Sequence, residues 1–430
     1  MSNGPIGLEL LEATSRDVEK SHHLLMTRDF GWLWWGQLIS QVGDGITRLA
    51  LLWFVYTITG SAVQTTLMGM LQTLPPIIFG PLIGVYLDRL SKKNIMIASD
   101  LLRAVIIGLA PCMIPVDTLK VEYLFVLVFL NSIASTVFGP ALIASVPFIV
   151  NRSQFTAANA LLQVTSSVGV IVGSALSGIG IAALSSQKVL CVNAVTYMVS
   201  AVCLVFVRIP HVTQTASGER GKFDSTIHDL IEGFQYAFMK QHLILQLIIT
   251  AALYSFGMSA FATLFPILGQ KMLGLGPAEV GYLWSSLGIG LFAVSLALFR
   301  LSEWNVQRRM QAIAISSVIT GLALYALVWT FNKVIAGILL CVIGAGIGLF
   351  TPVAWGVLQE IAPQRMIGRL LTVYGAGAMA AAMTGMTLFG WVIQTIGEKQ
   401  GLLGMGLVLF MTAGMAGMIS RKVGPLTGVG

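Results

Sequence analysis

The chain has 430 residues, 56% hydrophobic and only 10% charged, against about a quarter charged in soluble domains. Its net charge of +7 would suit a nucleic-acid partner, but such a binder presents clustered Lys and Arg on a soluble fold, and here the basic residues lie between apolar runs. Composition excludes a globule in water and points to a lipid bilayer.

Residues 1–29 read as a cytoplasmic segment. They mix Glu9, Glu12, Arg16, Asp17, Glu19 and Lys20, which is not the basic, apolar, small-residue order of a cleaved signal. A helix needs about 20 apolar residues to cross a bilayer. On that criterion the first six spans fall near Phe30–Tyr56, Thr65–Leu87, Asn94–Pro115, Tyr123–Val150, Ala157–Leu184 and Val189–Val207. These form an N-terminal bundle over 30–207. A polar stretch, including Thr213-Gln-Thr-Ala-Ser-Gly-Glu-Arg-Gly-Lys222, makes 208–242 a cytoplasmic linker. Six more spans follow near Leu243–Gln270, Ala278–Leu298, Met310–Thr330, Val334–Ile361, Leu370–Ile396 and Leu402–Ile419. They form a C-terminal bundle over 243–420, with 421–430 as a cytoplasmic tail. The fold class is therefore all-α and membrane-spanning, with about twelve transmembrane helices. The segments lack the short alternation of a barrel. Their prolines, Pro75, Pro76, Pro140, Pro266 and Pro352, are tolerated where neighbouring helices satisfy the freed backbone groups.

Charge distribution checks this division. Of the 25 Lys and Arg, 18 gather on one side of the alternating spans and 5 on the other, leaving Arg48 and Arg103 inside. The positive-inside rule then puts both termini in the cytoplasm, in the inner or plasma membrane of a cell. The two halves also echo each other. Arg89-Leu-Ser-Lys-Lys-Asn94 returns 211 positions on as Arg300-Leu-Ser-Glu-Trp-Asn305, and Phe138-Gly-Pro140 returns 212 on as Phe350-Thr-Pro352. An ancient duplication accounts for both. Transporters with a site between two such halves are a common outcome.

Enzyme and cofactor chemistry find no footing. Cys112, Cys191, Cys203 and Cys341 lie in apolar stretches without CxxC spacing, and all five His lie outside or at the edges of the spans. No nucleophile with a base is visible. The glycines of Gly344-Ala-Gly-Ile-Gly348 are not a phosphate loop, since no Lys-Ser/Thr follows. The expected partners are a small-molecule substrate, protons and the bilayer, with no nucleic acid and with a monomer as the working unit.

The loop after the second span, Gly80-Pro-Leu-Ile-Gly84-Val-Tyr-Leu-Asp88-Arg89-Leu-Ser-Lys92-Lys93, closely resembles the signature loop of the major facilitator superfamily. Physically, Gly84 lets a second helix approach, Asp88 suits a helix N-terminus, and Lys92 and Lys93 hold the loop at the cytoplasmic face. The expected partner is the eleventh span, near Gly368-Arg369, in a latch that forms in one state and breaks in another. Further matches are Arg28-Asp-Phe30, Gly36-Gln-Leu-Ile-Ser-Gln-Val-Gly-Asp44-Gly, Ser99-Asp-Leu-Leu-Arg103, Ala158-Asn159, Val192-Asn193-Ala194 and Gln359-Glu360. Together they resemble the macrolide-efflux branch, which also holds the enterobactin exporter. The resemblance implies proton-driven export of an amphipathic small molecule such as a drug, a macrolide or a secondary metabolite. Siderophore export and metabolite import remain alternatives on the same fold. The fifth span has Gly173-Ser174-Ala-Leu-Ser-Gly178 where drug antiporters of the superfamily usually carry Gly-Pro.

Asp44 lies about 21 Å into the first span at 1.5 Å per residue, near the midplane, where an ionisable group marks function. Arg48 follows one turn later on the same face. One reading makes Asp44 the proton carrier beside Arg48, and the other a static Asp44–Arg48 pair. Asp100 and Arg103 read as a supporting brace linked to the Asp88 loop, with Arg369 in the same charge network. The cavity is expected to be apolar, with Gln37, Gln41, Asn131, Asn159, Gln163 and Gln246 as its polar candidates.

Overall fold

A computed structural model describes residues 27–87, 91–113, 120–151, 155–209, 234–236, 241–301, 304–363 and 366–423. Asp88 and Arg89 lie outside the described residues, as do the side chains of Gln163 and Asn159; Gly80 and Gly84 are placed only as helix backbone. Twelve long helices appear among the described residues. In the first half they are α1 (Arg28–Thr59), α2 (Ala62–Leu87), α3 (Lys92–Met113), α4 (Val121–Ile149), α5 (Phe155–Leu184) and α6 (Ser186–Phe206). The second half holds α7 (His242–Leu273), α8 (Pro277–Leu301), α9 (Val306–Val328), α10 (Lys333–Ile361), α11 (Ile367–Thr395) and α12 (Glu398–Val423). Nine of them meet the length and apolarity needed to cross a membrane on their described residues alone. In lipid every backbone polar group must be paired within the segment. That requirement makes helices of these apolar runs despite Pro140, Pro147, Pro266 and Pro352 inside them.

The duplication seen in sequence is carried into the packing. Within the first half α1 packs on α5 and α6, α3 on α4 and α6, and α2 on α4. The second half repeats this with α7 on α11 and α12, α9 on α10 and α12, and α8 on α10. Backbone geometry repeats too. Left-handed Gly60 (φ 61°) closes α1 and Gly274 (φ 62°) closes α7. Positive φ recurs between α5 and α6 at Ser185 (97°) and between α11 and α12 at Gly397 (134°).

The halves meet chiefly through α5 on α8 and α2 on α11, and small residues set the approach. A Cβ on Gly178 would stand 2.6 Å from the Pro277 carbonyl oxygen and 3.0 Å from Ala278. The pseudo-equivalent Gly390 of α11 lies against Thr66 of α2. Ser285 on α8 donates to the Ile171 carbonyl of α5 at 2.6 Å. On the other flank, the Ala62 N–H that opens α2 donates to Gln394 Oε1 of α11 at 2.7 Å. These contacts of α2 with α11 sit at the end of the bundle that carries Gly60 and Gly397. The halves are closed together there.

Candidate functional site

The site grows from one face of α1. Residues 37, 41, 44 and 48 recur at helical spacing and share a face. The neighbouring stripe, Gly36, Ser40, Gly43 and Thr47, turns to α6: Gly36 lies against Ser200 and Cys203, and Gly43 against Asn193 and Thr196. Bare backbone brings α5 in on the other side. A Cβ on Gly173 would meet the Val42 carbonyl oxygen at 2.6 Å, and Gly45 lies directly on Gly169. The sequence read Gly173 and Ser174 as a departure from a Gly-Pro pattern. Structurally, Gly173 seats α1 while Ser174 and Gly178 seat Gly281 of α8.

Asp44 sits where α1, α3 and α6 converge. The Tyr197 hydroxyl of α6 donates to its Oδ1. Arg103 of α3 places Nη1 3.6 Å from its Oδ2 while also bonding Asp100. Side-chain exposure separates the three: 31% for Asp44, 3% for Arg103 and 0% for Asp100. The Arg103 guanidinium lies 4.2 Å from the Tyr197 ring centroid and 5.0 Å from that of Phe138, a cation–π arrangement on two sides. Asn193, fully buried, anchors α6 by donating to Thr47 Oγ1 at 2.7 Å and accepting from Thr196 at 2.8 Å.

Two cavities open from this point, with Gln41, Asp44 and Arg48 on the walls of both. One, of about 210 Å³, lies between the halves and is largely apolar: Leu49, Leu52 and Val170 face Ala262, Trp284, Leu287, Leu291 and Ile347. The other, of about 270 Å³, lies within the first half and is polar, lined by Thr47, Gln72, Asn131, Ser132, Ser135 and Tyr197. Asn131 Oδ1 has no protein hydrogen-bond partner there.

Asp44 is paired with Arg103 and Tyr197, so the static Asp44–Arg48 pair is not formed; Arg48 is exposed and lines both cavities. Arg103 and Asp100 belong to the Asp44 cluster rather than to a separate brace, because the α1–α3–α6 crossing brings a long guanidinium across to α1. Gln41 and Asn131 reach the cavities, whereas the buried Gln37 and the partly buried Gln246 are not among the lining residues. Trp284 lines the interface cavity, with Phe261 and Phe265 packed behind it at ring separations of 6.4 and 4.9 Å. Tyr197 is the partner of Asp44 that sequence reasoning missed. Its signal was a hydroxyl inside an apolar span, which requires a partner once buried.

At the opposite end from Gly60, Lys93 Nζ donates to the Val205 carbonyl at 2.7 Å and Lys92 lies 4.9 Å from the Phe148 ring centroid. Asp29 accepts from the Arg208 N–H at 3.0 Å, tying the end of α6 to the start of α1. Arg369, at the start of α11, contacts Met366 Sδ at 3.8 Å.

Comparison with known proteins agrees with this architecture. The Major Facilitator Superfamily profile matches residues 33–386. Macrolide efflux protein A of Streptococcus pyogenes is 24% identical over 395 residues, covering 91% of this chain and 96% of that protein. The multidrug efflux pump Tap of Mycolicibacterium fortuitum is 25% identical over 390 residues, covering 89% and 94%. Among solved structures, the nucleoside transporter NupG superposes with a TM-score of 0.69 at 14% identity, covering 94% of this chain and all of the other. A family match over most of the chain, on a fold of two repeated six-helix halves, shows that this protein belongs to the Major Facilitator Superfamily and is a membrane transporter, not an enzyme.

Proposed function

We propose that the protein exports an amphipathic small molecule in exchange for protons, by alternating exposure of the cavity between its halves. The observation that carries this reading is the position of Asp44. It is the acid on the walls of both cavities, held by a hydroxyl donor and a guanidinium, and 31% exposed. A carboxylate so placed can take a proton from either side, because burial and a neighbouring cation act on its charge in opposite directions. The apolar wall presented by α8 suits a greasy substrate of loosely constrained shape. The names of the relatives, a macrolide efflux protein and a multidrug efflux pump, support export.

Charge bias along the chain supports cytoplasmic termini in the plasma membrane. The conformation closed at the Gly60 end then faces the cytoplasm. In the opposite state the loop after α2, with Asp88 near the N-terminus of α11, latches the cytoplasmic side, and Gly80, Gly84, Arg89, Lys92 and Lys93 position it. Protein purified as a monomer and placed in liposomes tests the coupling. Under an imposed pH gradient, wild type accumulates a macrolide probe and Asp44→Asn does not, while still binding it. Uphill transport by Asp44→Asn refutes the reading.

A further inference from the structure

We propose that Asp100 is a positioning residue for the proton site: it shares the Arg103 guanidinium with Asp44, and so keeps Asp44 able to lose and regain one proton per cycle. This rests on Asp44 being the carrier. The geometry is one cation between two carboxylates. Arg103 bonds Asp100 and stands 3.6 Å from Asp44. With both acids ionised the cluster carries one net negative charge, and a single proton brings it to neutrality. A lone Asp44–Arg103 pair would already be neutral, and would hold its carboxylate against protonation.

Three features make the sharing fixed. Arg103 is 3% exposed and lies against the rings of Phe138 and Tyr197, so it cannot leave to follow one acid. Asp100 is 0% exposed, and the apolar cluster of Phe30, Leu33, Met96, Phe138 and Leu204 packs this region of the first half. Asp44 is the member that reaches a cavity, so the proton is exchanged there. Ser200 of α6 stands beside the Asp100 carboxylate, while Arg103 Nε lacks a protein hydrogen-bond partner, which leaves the guanidinium responsive to the charge on Asp44.

Other groups around Asp44 are few. Tyr197 donates to it from α6, and Arg48 follows on its own helix. Helices α2 and α5 contain no charged residue. Glu122 of α4, Lys188 of α6, and His242 and Lys271 of α7 lie in first or last turns.

The test titrates the full chain in lipid vesicles, following the infrared carbonyl band of a protonated carboxyl against pH, with no ligand added. Loss of the band in Asp44→Asn assigns it. Asp100→Asn gives Arg103 wholly to Asp44 and moves the midpoint to lower pH by on the order of one unit or more. Arg103→Gln leaves two acids together and moves it to higher pH. Asp100→Glu and Arg103→Lys, which keep the charges, stay near wild type. Shifts in the same direction, or no shift, overturn the proposal. If Arg103→Gln does not insert, the contrast of Asp100→Asn with Asp100→Glu decides alone. A band that persists in Asp44→Asn refutes instead the reading of Asp44 as carrier.

Discussion

The contact between α2 and α11 closes the Gly60 end in this structure, and its strength as the proposed gate can be worked from its geometry. Ala62 opens α2, so its N–H has no intrahelical acceptor; Gln394 Oε1 supplies one from the other half at 2.7 Å. Gln394→Leu removes that acceptor only where the halves are closed. Because Gln394 is itself exposed, water can replace it, and the loss belongs at the ordinary hydrogen-bond level of about 0.5–1.5 kcal/mol. That shifts a two-state equilibrium by roughly two- to twelvefold. Gly390→Val acts more strongly. Its Cβ would stand 2.9 Å from Thr66 Cγ2, and Thr66 is tethered to its own helix through the Ala62 and Val63 carbonyls at 3.0 and 2.9 Å. Overpacking of this kind costs about 1–3 kcal/mol. Spin labels at Val63 and Thr395, both exposed, on a background without the four native cysteines, read the opening as a longer-distance population. The expected order is wild type, then Gln394→Leu, then Gly390→Val. If both variants keep the wild-type distance distribution while the protein remains inserted, this contact does not gate the Gly60 end.

Four further outcomes are expected. Tyr197→Phe removes the hydroxyl that donates to Asp44, a hydrogen bond to a charged acceptor worth about 1.5–3 kcal/mol, so thermal unfolding in detergent moves down. Ser185→Gly relieves a backbone angle that its counterpart Gly397 adopts freely, strain of about 1–3 kcal/mol set against the ~0.5–1 kcal/mol entropic cost of glycine, so thermal unfolding in detergent moves up or stays level and does not fall. Trp284→Ala strips an aromatic wall from the interface cavity and raises the KM for the macrolide probe more than it lowers the maximal rate. On the proposed latch, Asp88→Asn removes a charge favoured at a helix N-terminus by about 0.3–1 kcal/mol, up to ~2 kcal/mol when partly buried, and shortens the lifetime of the outward-open state in distances between the cytoplasmic ends of α2 and α11.

The fold was readable because each apolar run is long enough to span a bilayer and has no other stable form there. The duplication was readable from two short motifs, although the repeated aromatic packs on a different helix in each half. Phe138 packs on Arg103, while Phe350 stacks on Tyr254 at 3.7 Å with rings 5° apart. The site was legible by halves. Asp44, Asp100 and Arg103 stood out as charges in apolar helices, yet spacing along a helix names partners on the same helix and says nothing of a side chain arriving from another. Arg48, one turn from Asp44, was therefore the expected neighbour, and Arg103 is the actual one. Tyr197 carried a weaker signal: a hydroxyl in a membrane span needs a partner once buried, but a tyrosine there reads equally as core packing or as an interfacial anchor.

Duplication also explains why the chemistry sits on one side. The repeat offsets, 211 and 212 in sequence, carry Asp44 onto Ser255 and Phe256, Arg103 onto Ala314 and Ile315, and Tyr197 onto Val408 and Leu409. None of these is charged. What the second half contributes to the interface cavity is instead apolar: Ala262, Trp284, Leu287, Leu291 and Ile347. On the proposed mechanism a proton site confined to one half moves as a unit with α1, α3 and α6, and its internal distances stay the same as the halves rock against each other. What changes, on that proposal, is which side of the membrane reaches Asp44. Protonation can then bias that motion through the charge facing the apolar wall, since an ionised Asp44 beside an apolar surface is penalised as water is excluded. Neutralisation removes the penalty. The proposed coupling thus needs only packing on one side and charge on the other; the acids of α8, α10 and α12, Glu279, Glu360 and Glu398, lie in first or last turns.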